Sequence, residues 1–301
     1  MREKLLYTGA SGFLGYNTLP LLSETYEVTT LGPTERDMVR CDLAKSVPEL
    51  SERYDIVLHA AGKAHVIPRT EAEKQAFFDV NAGGTRHLCE ALEKAGVPRA
   101  LVFISTVAVY GREEGEEITE DHPLRGGTPY ADSKIEAERY LTAWCTMYGV
   151  KLTILRPSLL AGNHATGNLG DMINGIRKGF YINIAGGEAR RSVSMAADIA
   201  RLIPLIQDKG GVYNLADSHQ PSFGELSALI AEQLGKKQPK SIPMWIARMM
   251  AKAGDILGQK APFNSRKLEK MTRSLTFSNR KLRKETGFEP SDVLKELRIE
   301  N

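Results

Sequence analysis

The amino-acid sequence predicts an α/β fold, a doubly wound parallel sheet followed by a smaller C-terminal lobe. Three observations carry this expectation. Short apolar runs alternate with longer helical patterns through the first half of the chain, the order that builds βαβ units around a parallel sheet. A glycine-rich turn joins the first run to the first helical pattern. After Arg156-Pro157 the alternation breaks, and Gly162 to Gly170 and Ala185-Gly186-Gly187 read as loops of a second lobe.

Taken in order, Lys4 to Tyr7 form the first strand, and a helix starts near Phe13 carrying Leu14, Leu19, Leu21 and Leu22. Pro20 lies inside that pattern and predicts a kink or local adjustment. Strands follow at Glu27 to Leu31 and Asp55 to His59, then a helix from Glu73 to Ala95 and a strand at Ala100 to Ile104. A polar loop runs to Gly127, a helix from about Pro129 to Met147, and a strand from Lys151 to Leu155. Val212 to Leu215 reads as one more strand returning to the sheet, with later helices at Ser222 to Leu234 and Met244 to Leu257. In the last of these, Trp245, Ile246, Met249, Met250 and Ile256 recur at helical spacing, which predicts a core-facing stripe, with a membrane or partner surface as the alternative. The division expected is residues 1–157 plus about 193–216 as the dinucleotide-binding unit, with about 158–192 and 217–301 as the substrate-binding lobe.

Composition narrows the classes. A chain of 301 residues is long enough to bury its own core. Its three cysteines, Cys41, Cys89 and Cys145, are odd in number and lack a CxxC pair, so neither a disulfide framework nor a metal site is expected, and a reducing cytoplasm fits. A formal charge of +3 from 40 basic and 37 acidic side chains announces no nucleic-acid partner. No apolar run suggests a membrane span, and the charged start Met-Arg-Glu-Lys leaves no room for a signal peptide.

The turn Gly9-Ala10-Ser11-Gly12-Phe13-Leu14-Gly15 spaces three glycines by three between strand and helix. These serve a tight turn, close approach of backbone to a pyrophosphate, and close helix-on-strand packing. Free N–H groups at the helix start favour phosphate, so the turn predicts a Rossmann-type dinucleotide site. In the NAD form of such sites an acid closes the second strand and binds the adenosine ribose. Here Gly32 stands at that place. The missing carboxylate, with Arg36 or Thr34 to meet a 2′-phosphate, points to NADP, with NAD as the alternative. Asp42 and Leu43 are placed near the adenine edge, although a surface Asp capping a helix is as ordinary a reading.

Tyr130 and Lys134 lie four apart at the start of a helix, so both project from one face. Ser105-Thr106 ends the preceding strand. A tyrosine, a lysine and a hydroxyl suit transfer of a proton to or from the oxygen of a ketone or alcohol whose carbon exchanges a hydride with nicotinamide. Neither a metal nor a covalent nucleophile is required.

These residues resemble the extended short-chain dehydrogenase/reductase class of nucleotide-sugar epimerases, dehydratases and 4-ketoreductases. The resemblance rests on Thr8-Gly9 to Gly15, His59-Ala60-Ala61-Gly62, Asn81, Ser105 through Tyr110-Gly111, Tyr130 to Lys134, and Arg156-Pro157. It implies that Tyr130 is the acid/base, that Lys134 anchors the nicotinamide ribose, and that Thr106 rather than Ser105 is the positioning hydroxyl. Ala60, Ala61, Gly62 and Pro157 are then placed beside the cofactor. Arg190 to Ala200 is similar to the family's arginine-containing motif, which makes Arg191 a diphosphate clamp and Asn168 a sugar-nucleotide contact. Lys63 and His65, just after the strand that ends at His59, read either as lining the sugar pocket or as loop residues facing water. Met195 and Ala197 depart from that motif's usual polar residues. Val107 stands where a dehydratase carries an acid, which disfavours elimination.

The resemblance implies a nucleotide-sugar substrate, UDP-linked, and a family in which homodimers are usual. The function expected is a 4-ketoreductase of bacterial surface-polysaccharide synthesis. A 4-epimerase with tightly bound NAD is the alternative, and a silent dinucleotide-binding sensor is the alternative of another class.

Overall fold

The computed structural model describes residues 2–64, 66–257 and 263–299. β1 (Lys4–Thr8) leads through the glycine turn into α1 (Phe13–Thr25), β2 (Glu27–Gly32) and the short β3 (Val39–Arg40). β4 (Ile56–His59) precedes α2 (Glu71–Phe78), a π turn (Asp79–Gly83) and α3 (Gly84–Ala95). β5 (Ala100–Ile104), β6 (Gly115–Ile118), α4 (Pro129–Tyr148) and β7 (Lys151–Pro157) follow. Next come β8 (Leu159–Ala161), α5 (Gly167–Arg177), β9 (Asn183–Ile184), β10 (Val193–Met195), α6 (Ala196–Ile206) and β11 (Gly211–Leu215). The chain finishes with α7 (Phe223–Gln233), β12 (Ser241–Ile242), α8 (Met244–Leu257), α9 (Ser265–Thr272), β13 (Leu275–Phe277), α10 (Arg280–Thr286) and α11 (Val293–Glu296).

Seven strands form one sheet in the order β11-β7-β5-β4-β1-β2-β3, every neighbouring pair parallel. Both faces are covered, which explains why the strands read as continuous apolar runs. On one side Leu5, Tyr7, Ile56 and Leu58 pack with Leu22 of α1 and Ile199, Ile203 and Ile206 of α6. On the other, Leu6, Val57, Leu101 and Phe103 pack with Leu88 and Leu92 of α3 and Leu141 of α4. The strand order reverses direction between β1 and β4, so a crevice opens at the carboxyl ends of these strands. A third cluster, with Leu169, Ile173, Leu226, Ile230 and Val293, is the core under α5, α7 and α11. Leu282 and Phe288, far along the chain, pack into the first cluster beside the sheet.

Several local expectations change. The helix expected from Glu73 begins at Glu71, where Thr70 and Glu73 form a reciprocal capping box, and the π turn interrupts it at Asn81. β6 lies within the stretch expected to be loop and pairs with β13, a contact across about 160 residues of chain. Gly167 to Gly170, expected as loop, open α5. α1 runs unbroken through Pro20.

The largest correction concerns α8. Its buried residues are the small ones, Ala247, Ala251 and Gly254. Trp245, Met249 and Ile256, expected in the core, are 63 %, 65 % and 88 % exposed. A Cβ at Gly254 would lie 1.8 Å from the Phe263 carbonyl oxygen, so the helix seats its small-residue face close against its neighbour and turns the large side chains out.

Candidate active site

Three loops meet at the carboxyl edge of the sheet. Thr8 of β1 stands in register with His59 of β4, and His59 with Phe103 of β5. The glycine turn, the segment Ala60 to Lys63, and Ser105-Thr106 therefore leave the sheet side by side. The first two touch: a Cβ at Gly9, whose φ is +78°, would come within 2.7 Å of the Ala61 backbone. Thr8 Oγ1 accepts the Ala61 N–H at 3.1 Å and meets His59 Nδ1 at 2.7 Å, while His59 Nε2 meets Thr85 Oγ1 at 2.9 Å. Burial, helped by the Lys134 charge, drives the His59 imidazole down to about 3, so it is a neutral structural link at ordinary pH.

The glycine turn fits a dinucleotide. Gly12 is the N-cap of α1 and supplies no side-chain cap, so the first N–H groups, at Phe13 and Leu14, are left for a phosphate. A Cβ at Gly15 would lie 1.8 Å from the Ala10 carbonyl oxygen, so only glycine lets helix and turn approach this closely. Beyond the turn, a cleft is lined by Ala10, Ser11, Tyr16, Thr30, Arg36, Asp37 and Asn163.

Asp37 is the residue that sequence reasoning missed here. Its carboxylate is buried and accepts the Thr34 N–H at 3.0 Å and the Thr34 hydroxyl at 2.7 Å. Both of its oxygens lie within 3 Å of the position a Cβ would take on Gly32, at 2.6 and 2.9 Å. A carboxylate from the following loop thus lies against the end of β2, where the sequence places Gly32. The readable signal was Thr34-x-x-Asp37, a side chain folding back on its own turn. Arg36 is exposed on the same loop. Asp42 accepts the Ala44 N–H and pairs with Lys45 in a local turn, not at the start of a helix, and Leu43 is buried in the second cluster.

α4 carries the next group. Thr128 caps it by accepting the Ala131 N–H, Pro129 opens its first turn, and Gly149 closes it in the left-handed region. Tyr130 is therefore in the first turn and Lys134 one turn later. Burial raises the Tyr130 phenol above its ordinary 10, and a hydrogen bond with the Thr106 hydroxyl pulls the other way. Lys134 is 4 % exposed; Nζ donates to the Ile104 carbonyl at 2.8 Å and lies 4.6 Å from the Phe103 ring centroid. Burial lowers it to about 8, with Glu138 opposing.

The two candidate hydroxyls separate. Thr106 turns toward Tyr130 and also accepts the Ala108 N–H at 3.1 Å. Ser105 is buried and donates to Glu138 Oε1 at 2.5 Å. Glu138, four residues after Lys134, holds Arg156 through two hydrogen bonds of 3.0 and 2.6 Å, and Arg156 Nη1 donates to the Tyr110 hydroxyl at 3.0 Å. Glu138 was legible as the next residue on the same helix face.

Asn81, in the π turn, accepts the Lys63 N–H at 2.7 Å, donates to the Lys63 carbonyl at 3.2 Å and to Ser133 Oγ at 2.8 Å. It fastens the loop after β4 to α4. A Cβ on Gly62 would meet Asn81 Oδ1 at 3.0 Å and Lys134 Nζ at 3.2 Å. Lys63 Nζ lies 5.8 Å from the Phe77 ring, and Phe77 is 6.3 Å from Tyr130. Thr106, Tyr130, Lys134, Gly62 and Lys63 thus converge. Pro157 ends β7, paired with Leu215. Arg191 and Asn168 lie outside the seven-stranded sheet: Arg191 donates to the Lys270 carbonyl and lies 5.7 Å from the Phe223 ring, and Asn168 is exposed in the first turn of α5. His65 lies outside the described residues. Among the described residues no cluster of three or more His, Cys, Asp or Glu could hold a metal, and no helix is long and apolar enough to cross a membrane.

Comparison with known proteins gives a consistent set. The family model described as "NAD dependent epimerase/dehydratase family" matches residues 5–216. The chain is 28% identical to the N-acetyl-alpha-D-glucosaminyl-diphospho-ditrans,octacis-undecaprenol 4-epimerase of Escherichia coli O157:H7, over 94% of this chain and 89% of the relative. It is 25% identical to the UDP-glucose 4-epimerase of Vibrio cholerae, over 98% and 93%. In fold it is similar to the structure of RMD from Pseudomonas aeruginosa complexed with NADPH, with a TM-score of 0.72 at 22% identity over 98% and 96% of the two chains.

Proposed function

Because the chain belongs to the NAD-dependent epimerase/dehydratase family, among the extended short-chain dehydrogenase/reductase enzymes, we propose that it is a 4-epimerase of a nucleotide sugar that retains NAD. The observation that carries this reading is the Asp37 carboxylate against Gly32. A fixed negative charge beside the adenosine ribose suits two free hydroxyls and repels a 2′-phosphate. The sequence pointed to NADP from the absence of an acid at Gly32, and Asp37 removes that ground. An epimerase keeps its cofactor through the cycle, whereas a ketoreductase exchanges it each turn.

A bound nicotinamide dinucleotide would supply a reversible hydride acceptor for the sugar's C4. The protein's share is proton handling and positioning. Tyr130 takes the proton from the C4 hydroxyl as the C4–H bond breaks, and gives it back when the 4-ketone is reduced on its other face. Thr106 holds the C4 oxygen beside the phenol. Burial holds the Tyr130 phenol protonated in the absence of ligand, so the buried Lys134 ammonium is positioned to favour its ionised form when the site is filled. Lys63, over the Phe77 ring that neighbours Tyr130, offers a cation on the sugar side, with Arg191 and Asn168 reserved for the diphosphate handle. Val107 beside Thr106 brings no acid for elimination.

A second reading changes only the handle. A polyprenyl diphosphate, as in the name of the Escherichia coli relative, presents the same two phosphates as a nucleotide, and the exposed apolar face of α8 favours it.

The test is to denature the purified protein, identify any dinucleotide released, and titrate the emptied protein with NADH and NADPH. Released NAD and a preference for NADH support the epimerase. An empty site preferring NADPH overturns it in favour of a 4-ketoreductase. Turnover of UDP-N-acetylglucosamine or UDP-glucose separates the nucleotide handle from the lipid one.

A further inference from the structure

α8 is built in reverse for a helix lying on its own protein, since amphipathic surface helices ordinarily turn large apolar residues to the core. Here the small residues face in, and Trp245, Met249 and Ile256, which share one line of the helix at about 100° per residue, face out. Ile246, Met250 and Leu257 widen this stripe on one side, and Arg248 and Lys252 border it on the other. From residue 236 to 257 the sequence carries five cations, Lys236, Lys237, Lys240, Arg248 and Lys252, against the single acid Asp255. That carboxylate is turned onto Ser265, which donates to it from both N–H and hydroxyl at 3.0 and 2.6 Å. The Asn183 N–H bonds the Lys240 carbonyl at 2.9 Å, so exposed Ile182 sits beside the segment leading into α8.

We propose that α8 docks on an anionic lipid bilayer, its apolar line entering the headgroup boundary and its cations lying on the phosphates. An interfacial helix requires an exposed apolar stripe with an aromatic anchor, basic residues flanking it, and a firm seat on the protein. α8 has all three, the seat being Ala247, Ala251 and Gly254. Charge selects the bilayer over a second copy of the chain. A two-fold interface would set the same cations against each other, whereas an anionic surface neutralises them. The inference does not depend on the chemistry proposed at C4.

The experiment sediments the full protein with vesicles of phosphatidylcholine, with and without phosphatidylglycerol, at low and high salt. Light scattering is run alongside on the wild type and on Met249→Glu/Ile256→Glu. Binding is expected to rise at least about tenfold with phosphatidylglycerol, to weaken in salt, and to drop at least about tenfold in the variant. Both replaced side chains are exposed, so thermal unfolding and dinucleotide content are expected to stay unchanged and serve as the folding control. No vesicle binding, binding indifferent to headgroup charge, or binding retained by the variant overturns the proposal, as does a wild-type dimer that the variant dissociates. Loss of the C4 reading in the cofactor assay leaves each of these outcomes intact.

Discussion

Replacing Glu138 by Gln tests the buried pair that ties the sheet to α4. The Glu138 and Arg156 side chains are 4 % and 5 % exposed. Glu138 accepts from Ser105 Oγ at 2.5 Å and from Arg156 at 3.0 and 2.6 Å, and Arg156 then reaches Tyr110. Removing one charge strands the other guanidinium in the core, which costs about 3–5 kcal/mol. Gln keeps one acceptor oxygen, so the loss falls near 3 kcal/mol, or about 5 °C in melting temperature for a chain of 301 residues. The second consequence is local. The Glu138 charge opposes the burial that brings Lys134 down to about 8, so without it Lys134 falls further. An ammonium is present below its pKa and lost as pH rises through it, so the alkaline limb of turnover moves to lower pH. Circular dichroism melting and a pH–rate profile check both. The double replacement Glu138→Gln/Arg156→Met, which leaves no lone charge, recovers much of the lost stability. A melting temperature within about 2 °C of the parent together with an unmoved alkaline limb refutes the reasoning.

Other expected outcomes follow from single side chains. Tyr130→Phe lowers kcat by about 10²–10⁴ with an unchanged melting curve; near-parent turnover would take the acid/base role away from Tyr130. Asp37→Ala weakens NAD by about 1.5–3 kcal/mol, the worth of a hydrogen bond to a charged group, and raises relative affinity for NADPH. Calorimetric titration with both dinucleotides reads the ratio, and an unchanged ratio removes Asp37 from cofactor choice. Asp217 is buried, its Oδ2 lacks a partner, and burial raises its carboxyl from 3.8 to about 7. The native state therefore holds this proton more tightly than the unfolded chain, and stability present below pH 3.8 is lost as pH rises through about 7. Asp217→Asn abolishes that loss, gaining up to about 4 kcal/mol at pH 8 and nothing in strong acid. Urea unfolding at several pH values measures it, and a gain independent of pH would contradict the assignment.

Much of the site was legible because it is local. A strand, three glycines at fixed spacing and a helix are consecutive in the chain, and a tyrosine four residues before a lysine needs only helical geometry to share a face. The sheet's parallel order likewise follows from alternating apolar runs. Local pattern failed where a side chain chooses between neighbours that the sequence keeps apart. Ser105 and Thr106 are adjacent hydroxyls, and only the arrival of Glu138 from α4 gives one to the ion pair and leaves the other to Tyr130.

By itself the sequence determined the parallel sheet, the phosphate turn and the helix that presents Tyr130 and Lys134, since each is set by backbone preference and by the period of apolar residues. Tertiary structure decided the rest. The loop after β2 folds back to set the Asp37 carboxylate on Gly32, a contact that spacing along a strand does not encode. In α8 the period located an apolar stripe but not the direction it faces. Gly254 and two alanines let the neighbouring segment approach from the opposite side, and close packing there turned the large side chains outward.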